Sequence, residues 1–454
     1  MLSLYTYISK RKGVKIVTTA IKTKYGEILG IEEDDYVIYK GIPYAKPPVA
    51  ELRWKAPEEP DKWNGVYEAT EFSAKCPQNE NPYGFFGKEF YGNPEFLRKM
   101  DEDCLYLNIW TPKKRQEKLP VAFYIHGGGF GGGYSSEIEF DGEEYCKRDV
   151  ILVTINYRVN LFGFLAHPWL CEENERGISG NYGILDQIAA LTWVYENIAN
   201  FGGDPDNITV FGQSAGCMST QVLISTELTG NMISKAILQS GVKYKGEGLY
   251  APTLKEEMVR GTEWAALTGA KNLAELRALT IEQIAKARDR YNEITWQRGD
   301  GIVIVPNADG YVLKEPVNEL FEKGEVKDIP FMVGSVTKDL WVTEEELKNG
   351  IRGELAEDCG LWSLYLEKLG RTPAYVYYFS HELPGDEEGA FHSAELWYTF
   401  GTLKRCWRPM KNEDYELSRV MMDYWTNFMK NGKPSENGEW RAFTEKDKFI
   451  MEFK

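Results

Sequence analysis

Ser214 lies in Phe-Gly-Gln-Ser-Ala-Gly, from Phe211 to Gly216, directly after the apolar run Asn207 to Val210 and before a stretch from Cys217 that can continue as a helix. The glycines two residues to either side remove side chains where a strand and a helix nearly collide. A sharp turn can then lift the serine hydroxyl above a sheet, where it is suited to attack an acyl carbon. The five-residue pattern alone arises by chance in roughly one chain in seven of this length, so its surroundings have to decide.

A serine hydroxyl is a poor nucleophile at neutral pH. It needs a base, a group that orients the base, and donors for the oxyanion its attack creates. For the donors, Val121 to Phe130 reads as a strand running into His126-Gly127-Gly128-Gly129. Such a glycine run leaves backbone N–H groups bare, and it is the oxyanion-loop pattern that accompanies a serine turn of this kind; a flexible turn is the alternative. Gly128 and Gly129 are the candidate donors, with the N–H of Ala215 as a third.

The chain has four histidines. His126 belongs to the glycine loop, His167 precedes Pro168, and His381 follows a strand; the last two read as ordinary loop residues. His392 comes after a loop and at the start of a helix late in the chain. That position suits the order serine, acid, histidine.

The elements that must position these residues alternate. Val121 to His126, Ile151 to Tyr157, Ile208 to Phe211, Lys235 to Gln239, Pro330 to Gly334 and Tyr375 to Ser380 read as short strands. Between the second and third, Ile184, Ile188, Leu191, Val194 and Ile198 recur at three- and four-residue steps, which predicts a helix over Tyr182 to Asn200, stopped by Gly-Gly-Asp-Pro-Asp. Alternation of this kind predicts an α/β fold with a mostly parallel sheet covered by helices on both faces. Residues 79–100, aromatic and without period, and residues 246–290, polar and helical, read as excursions over one face that could wall a cleft. No repeat or linker divides the chain.

Composition narrows the function classes. Of 454 residues, 53 are Lys or Arg and 69 are Asp or Glu, a formal net charge of −16; a phosphate backbone would be repelled, which argues against a nucleic-acid partner. No run has the length of a signal peptide or a membrane span, so a cytoplasmic location is the expectation. Seven scattered cysteines without a Cys-x-x-Cys pair, and few histidines, offer no zinc site. Cys76 and Cys104 flank the aromatic stretch, which a disulfide between them could close into a loop.

From about Thr18 to its end the chain resembles the type B carboxylesterases, the family of bacterial carboxylesterases and animal cholinesterases. The resemblance is carried by Gly41-Ile-Pro-Tyr-Ala-Lys-Pro-Pro with Leu52-Arg-Trp, and by Glu102-Asp-Cys-Leu-Tyr-Leu-Asn-Ile-Trp. Asn156-Tyr-Arg-Val-Asn-Leu-Phe-Gly, Gly180-Asn-Tyr-Gly-Ile-Leu-Asp-Gln, Gly202-Gly-Asp-Pro-Asp-Asn, Leu238-Gln-Ser-Gly and Trp425-Thr-Asn-Phe carry it further. It implies a single α/β-hydrolase domain over residues 1–454, with 1–17 a non-family extension, and a Ser-acid-His triad. It also implies hydrolysis of carboxylic esters without metal or organic cofactor. Some proteins of this fold family are non-catalytic binding or adhesion proteins; they generally lose the serine or histidine, both of which remain here.

Two positions depart from the family pattern. Similar proteins carry Gly, three variable residues, then Asp-Glu-Gly, with the Glu as triad acid. Counting five from Gly334 in this chain reaches Asp339, the candidate acid; a solvated loop carboxylate is the other reading. Glu344, Glu345 and Glu346 read instead as the exposed first turn of a helix capped by Thr343. Gln213 stands where cholinesterases carry Glu, which removes a charge and favours neutral or aromatic esters over choline esters. The short interval between Asp339 and His392 implies a trimmed, open cleft. Gln213, Phe130, Trp341 and Trp397 are the candidates for substrate contact, with Phe85 and Phe86 beside them, although aromatic residues more often serve packing.

Overall fold

The computed structural model describes residues 19–79, 84–114, 116–242 and 251–454. The proposed extension at 1–17 and parts of both excursions lie outside these. Ten strands form one sheet: β1 (Ile31–Glu32), β2 (Tyr36–Pro43), β3 (Tyr106–Pro112), β4 (Leu119–Ile125), β5 (Ile151–Ile155), β6 (Gly203–Gln213), β7 (Lys235–Gln239), β8 (Phe331–Val336), β9 (Tyr375–Phe379) and β10 (Ile450–Phe453). Their spatial order is β10-β9-β8-β7-β6-β4-β5-β3-β2-β1. From β10 to β5 all neighbours are parallel, and β3, β2 and β1 add an antiparallel edge. This is the mostly parallel α/β sheet that the alternation predicted, in the α/β-hydrolase arrangement that the resemblance implied. A separate three-stranded sheet joins Ile21–Lys22, Glu27–Leu29 and Val66–Glu68.

Both faces of the sheet are buried, and the period of two sorts its side chains. Val121, Phe123 and Ile125 enter one core cluster while Ala122 and Tyr124 enter the other. The first core is covered by α1 (Tyr182–Asn197) and α2 (Ala215–Ser225); Ile184, Leu191, Val194, Val222 and Leu223 are almost wholly withdrawn from solvent. The second face is covered by the C-terminal helix Asn412–Asn431 through Met421, Met422, Trp425 and Phe428.

β6 begins five residues before the predicted start. The expected turn at Gly202 to Asp206 is split: Gly202 ends the preceding helical turn at φ 85°, and the rest forms an irregularity in the pairing with β4, between Leu119↔Gly203 and Val121↔Ile208. The inserted residues bulge out and leave the register of Ile208 to Gly212 intact. That register brings β4 and β6 to the same edge of the sheet, so the glycine loop and the serine turn leave it side by side.

The second excursion forms helices Leu254–Thr268, Leu273–Arg277 and Ile281–Arg298. The cysteines are all free, and Cys76 and Cys104 are buried without a bond between them. The contact with Cys76, together with burial, pushes the Cys104 thiol up.

Candidate active site

Ser214 occupies the single residue between β6 and α2, at φ 57° and ψ −125°, a strained backbone conformation for a residue with a side chain. The turn is pinned: the Ser214 N–H donates to the Gln239 carbonyl on β7 at 2.9 Å, and the Ser214 carbonyl accepts from Met218. The flanking glycines are required for room and not for their own torsions. A Cβ on Gly216 would stand 2.0 Å from the Ile125 carbonyl, and one on Gly212 would stand 2.4 Å from the Gly216 backbone.

Beyond β4, Gly128 and Gly129 adopt φ 101° and 61°. A Cβ on Gly128 would meet the Gly132 carbonyl at 2.4 Å. The loop folds on itself through bonds from the Gly131 and Gly132 N–H groups to the Gly128 carbonyl, and none of the hydrogen bonds among the described residues uses the N–H of Gly128 or Gly129. Ala215 is the first residue of α2, where an N–H has no partner within its own helix. His126 braces the loop from beneath: its Nδ1–H donates to the Gly127 carbonyl at 2.9 Å, its ring stacks on Tyr157, and burial lowers it to about 4.

Asp339 follows β8, and His392 follows an isolated bridge that pairs Lys338 with Phe391. The bridge, with the Lys338 N–H donating to the Ala390 carbonyl at 2.8 Å, places the two side chains next to each other across a long sequence gap. His392 Nδ1 meets Asp339 Oδ1 at 2.5 Å. The carboxylate is further held by the N–H groups of Leu340 at 2.9 Å and Val336 at 3.2 Å. Because the carboxylate can only accept, Nδ1 carries the proton and Nε2 has its lone pair free for a donor. Here that donor is the Gln213 side-chain amide at 3.2 Å, whose carbonyl accepts from the Ser393 hydroxyl at 3.0 Å. No hydrogen bond between the Ser214 hydroxyl and the ring occurs among the described residues, although both line one cavity of about 330 Å³ with Gly128, Gly129 and Gln213. A cavity of about 520 Å³ adjoins it across Phe86, Tyr91 and Gly128.

Three of the aromatic candidates stand elsewhere. Phe130 turns inward at φ 59° and packs edge-on against Phe164 in the core, its carbonyl accepting from the Asn160 N–H. Trp341 is 51% exposed, one residue past Leu340, which does line the cavity. Trp397 is wholly buried one layer back, stacked on Phe90 and donating from its indole to Glu89 at 2.9 Å. Phe86, also a candidate, does line the cavity, and Phe85 lines the adjoining one; the rest of the wall is built by Phe90, Tyr91, Tyr124, Phe140 and Leu396, and by Glu137 and Glu139. The signal for these was available in part: Glu137 to Phe140 follow the glycine loop closely in sequence and so stay in its vicinity.

The other candidates are structural. His167 caps the short helix Pro168–Glu173, accepting from the Trp169 N–H at 3.1 Å, and Glu344 to Glu346 open a helix with a capping box on Thr343. No cluster of three or more His, Cys, Asp or Glu side chains arranged for a metal occurs among the described residues. No helix there is long and apolar enough to cross a membrane.

The sequence pattern of the carboxylesterase family matches residues 17–358 and 359–454. A para-nitrobenzyl esterase of Bacillus subtilis is 33% identical over 94% of this chain and 92% of its own length. A fumonisin B1 esterase of Sphingopyxis macrogoltabida is 40% identical over 69% of this chain and 54% of its own. Among solved structures, a thermophilic para-nitrobenzyl esterase superposes with a TM-score of 0.82 at 30% identity, covering 96% of this chain and 95% of that one. A carboxylesterase of Geobacillus stearothermophilus gives 0.73 at 31% identity, covering 96% of each chain.

Proposed function

From the premise that the chain belongs to the carboxylesterase family and is a carboxylic ester hydrolase, we propose that it works through an acyl-enzyme on Ser214, with His392 as base and Asp339 as the acid that orients it. The observation that carries this reading is the 2.5 Å contact of His392 with Asp339 in the cavity that also holds Ser214. Nε2 exchanges its donor from the Gln213 amide to the Ser214 hydroxyl as the side chain rotates. Ser214 Oγ then attacks the acyl carbon and passes its proton to Nε2. Asp339 keeps Nδ1 protonated and stabilises the imidazolium. The N–H groups of Gly128, Gly129 and Ala215 receive the oxyanion. His392 returns the proton to the leaving alcohol, and a water activated at the same nitrogen releases the acid.

The aromatic wall of Phe86, Phe90, Tyr91 and Phe140 suits small or aromatic esters, and para-nitrobenzyl and p-nitrophenyl esters are the first to test. Seven free thiols suit a reducing compartment such as the cytoplasm. No cofactor is needed for these steps.

Ser214→Ala is expected to lower p-nitrophenyl acetate hydrolysis by about 10³-fold or more, with circular dichroism unchanged. A fluorophosphonate should label the wild-type chain on the peptide that contains Ser214. Activity retained in the variant, or labelling elsewhere, would overturn the mechanism.

A further inference from the structure

One short segment walls both cavities. Phe86, Phe90 and Tyr91 line the Ser214 cavity, and Phe85, Phe86 and Tyr91 line the adjoining one. The segment is a single turn of α-helix, Gly84–Phe86, running into a π turn, Gly87–Tyr91, and it belongs to neither sheet. A helix this short is not stable alone, and π turns are rare and recur at functional sites. Its position therefore has to be fixed from elsewhere in the chain.

Glu89 lines neither cavity, and its side chain has no exposure to solvent. Arg408 Nε donates to both of its oxygens, at 3.0 and 3.2 Å, while the Trp397 indole donates to Oε1 at 2.9 Å and the Trp407 indole to Oε2 at 2.7 Å. Arg408 gives its other nitrogens to Asp386, at 2.7 and 3.1 Å, and to the Pro384 carbonyl at 3.1 Å. These partners lie on either side of His392 in the chain. Between them, the Phe391 ring stands edge-on to Phe85 at 4.7 Å, with the Arg408 guanidinium 5.1 Å from its centre, and Phe90 stacks on Trp397 at 5.5 Å. One buried carboxylate thus joins the aromatic wall to the stretch Pro384 to Arg408 that carries His392. A buried ion pair adds little net stability, because desolvation offsets its attraction, but its charged hydrogen bonds fix direction and distance.

We propose that Glu89 is a positioning residue for substrate selection: it sets where the rings of Phe86 and Phe90 stand relative to Ser214, and so how well esters with an aromatic acyl or alcohol part are bound relative to small ones. A ring on the ester has to pack against those side chains at van der Waals distance, and a displacement of about 1 Å forfeits much of that contact. A small ester meets only Ser214, His392 and the oxyanion donors, so the wall matters little to it. The inference deepens the esterase reading and rests on it for turnover.

The test measures kcat/KM for benzyl acetate and ethyl phenylacetate, which carry the ring on either side of the carbonyl, against ethyl acetate in the same preparation. A ratio of two esters does not depend on how much of the preparation is folded, so a merely structural role for Glu89 leaves it unmoved. Glu89→Gln keeps the size of the side chain but takes the countercharge from Arg408. For at least one aromatic ester it should lower the ratio to ethyl acetate by about tenfold, mainly through KM, with kcat on ethyl acetate within about threefold of wild type. Ratios unchanged or raised for both aromatic esters would overturn the proposal. Should Glu89→Gln fail to fold, Trp407→Phe decides instead: it removes one donor to the carboxylate, keeps a ring beneath Lys88 and touches neither cavity. A fall of about threefold in the ratio supports the proposal, and an unchanged ratio overturns it. Absence of both ethyl acetate and p-nitrophenyl acetate hydrolysis by the wild type would instead strike the esterase mechanism.

Discussion

Two histidine rings in this molecule each meet a buried aspartate, and their local geometry is nearly the same. His392 reaches Asp339 at 2.5 Å and His381 reaches Asp414 at 2.7 Å. The difference lies in what surrounds each pair. His392 uses Nδ1 for its aspartate and turns Nε2 toward a cavity that holds a strained serine and bare glycine N–H groups. His381 spends Nε2 on an aspartate already occupied: Asp414 also receives the Tyr398 hydroxyl at 2.7 Å and the Lys411 N–H at 2.7 Å, at the start of the C-terminal helix. A histidine–aspartate contact is therefore no mark of a triad. The nitrogen opposite the aspartate decides, because that is where a proton can be taken from a substrate or nucleophile.

The contrast is sharpest in the charge of each aspartate. Asp339→Asn keeps the shape but removes the charge that stabilises the imidazolium and selects its tautomer, so kcat should fall by about 10³- to 10⁴-fold, with a loss of stability beside it because Asp339 also receives three donors. A kcat within tenfold of wild type would place the working acid elsewhere.

Asp414→Asn should cost stability alone and spare catalysis. It leaves three donors competing for one acceptor oxygen and should cost about 2 to 3 kcal/mol of stability, read from urea unfolding, with kcat/KM on p-nitrophenyl acetate within about twofold. Loss of activity without loss of stability would erase the distinction between the two pairs. The same variant changes the acid limb of stability. Burial pushes the Asp414 carboxyl up, but the Lys411 N–H, His381 and Tyr398 outweigh it and hold it below its usual value. A carboxyl that is lower in the folded chain binds its proton later than in the unfolded chain. Its stabilisation is complete above the ordinary carboxylate range and is lost as pH falls through the folded value. The stability gap between wild type and Asp414→Asn should accordingly narrow below about pH 4.

The smallest effect is expected for His381→Leu. Asp414 keeps two of its three donors, so the loss should be about 1 kcal/mol, again without a change in kcat/KM. A drop in kcat as large as that of Asp339→Asn would make His381 part of the chemistry.

Sequence alone determined the parts of this protein that depend on contiguous residues. The serine turn needs glycines within two positions because Ile125 and Gly216 leave no space for a Cβ. The glycine loop needs positive φ at Gly128 and Gly129. The sheet's faces follow from a two-residue period. Each of these is a local steric rule, so each can be read from the order of residues. The offset from Gly334 to Asp339 was legible too, but only through resemblance, since no local rule makes that residue an acid.

Tertiary structure decided which way side chains point where no period governs them. Phe130 turns into the core by a positive φ, Trp397 lies behind Phe90, and Trp341 is left outward. Glu139 reaches the cavity from a stretch with no repeat to reveal it. Gln213, expected at the substrate, bridges His392 and Ser393, and the meeting of Asp339 with His392 depends on one bridge between Lys338 and Phe391. Contacts of this kind join segments far apart in the chain, and their energies depend on partners that only the folded packing supplies.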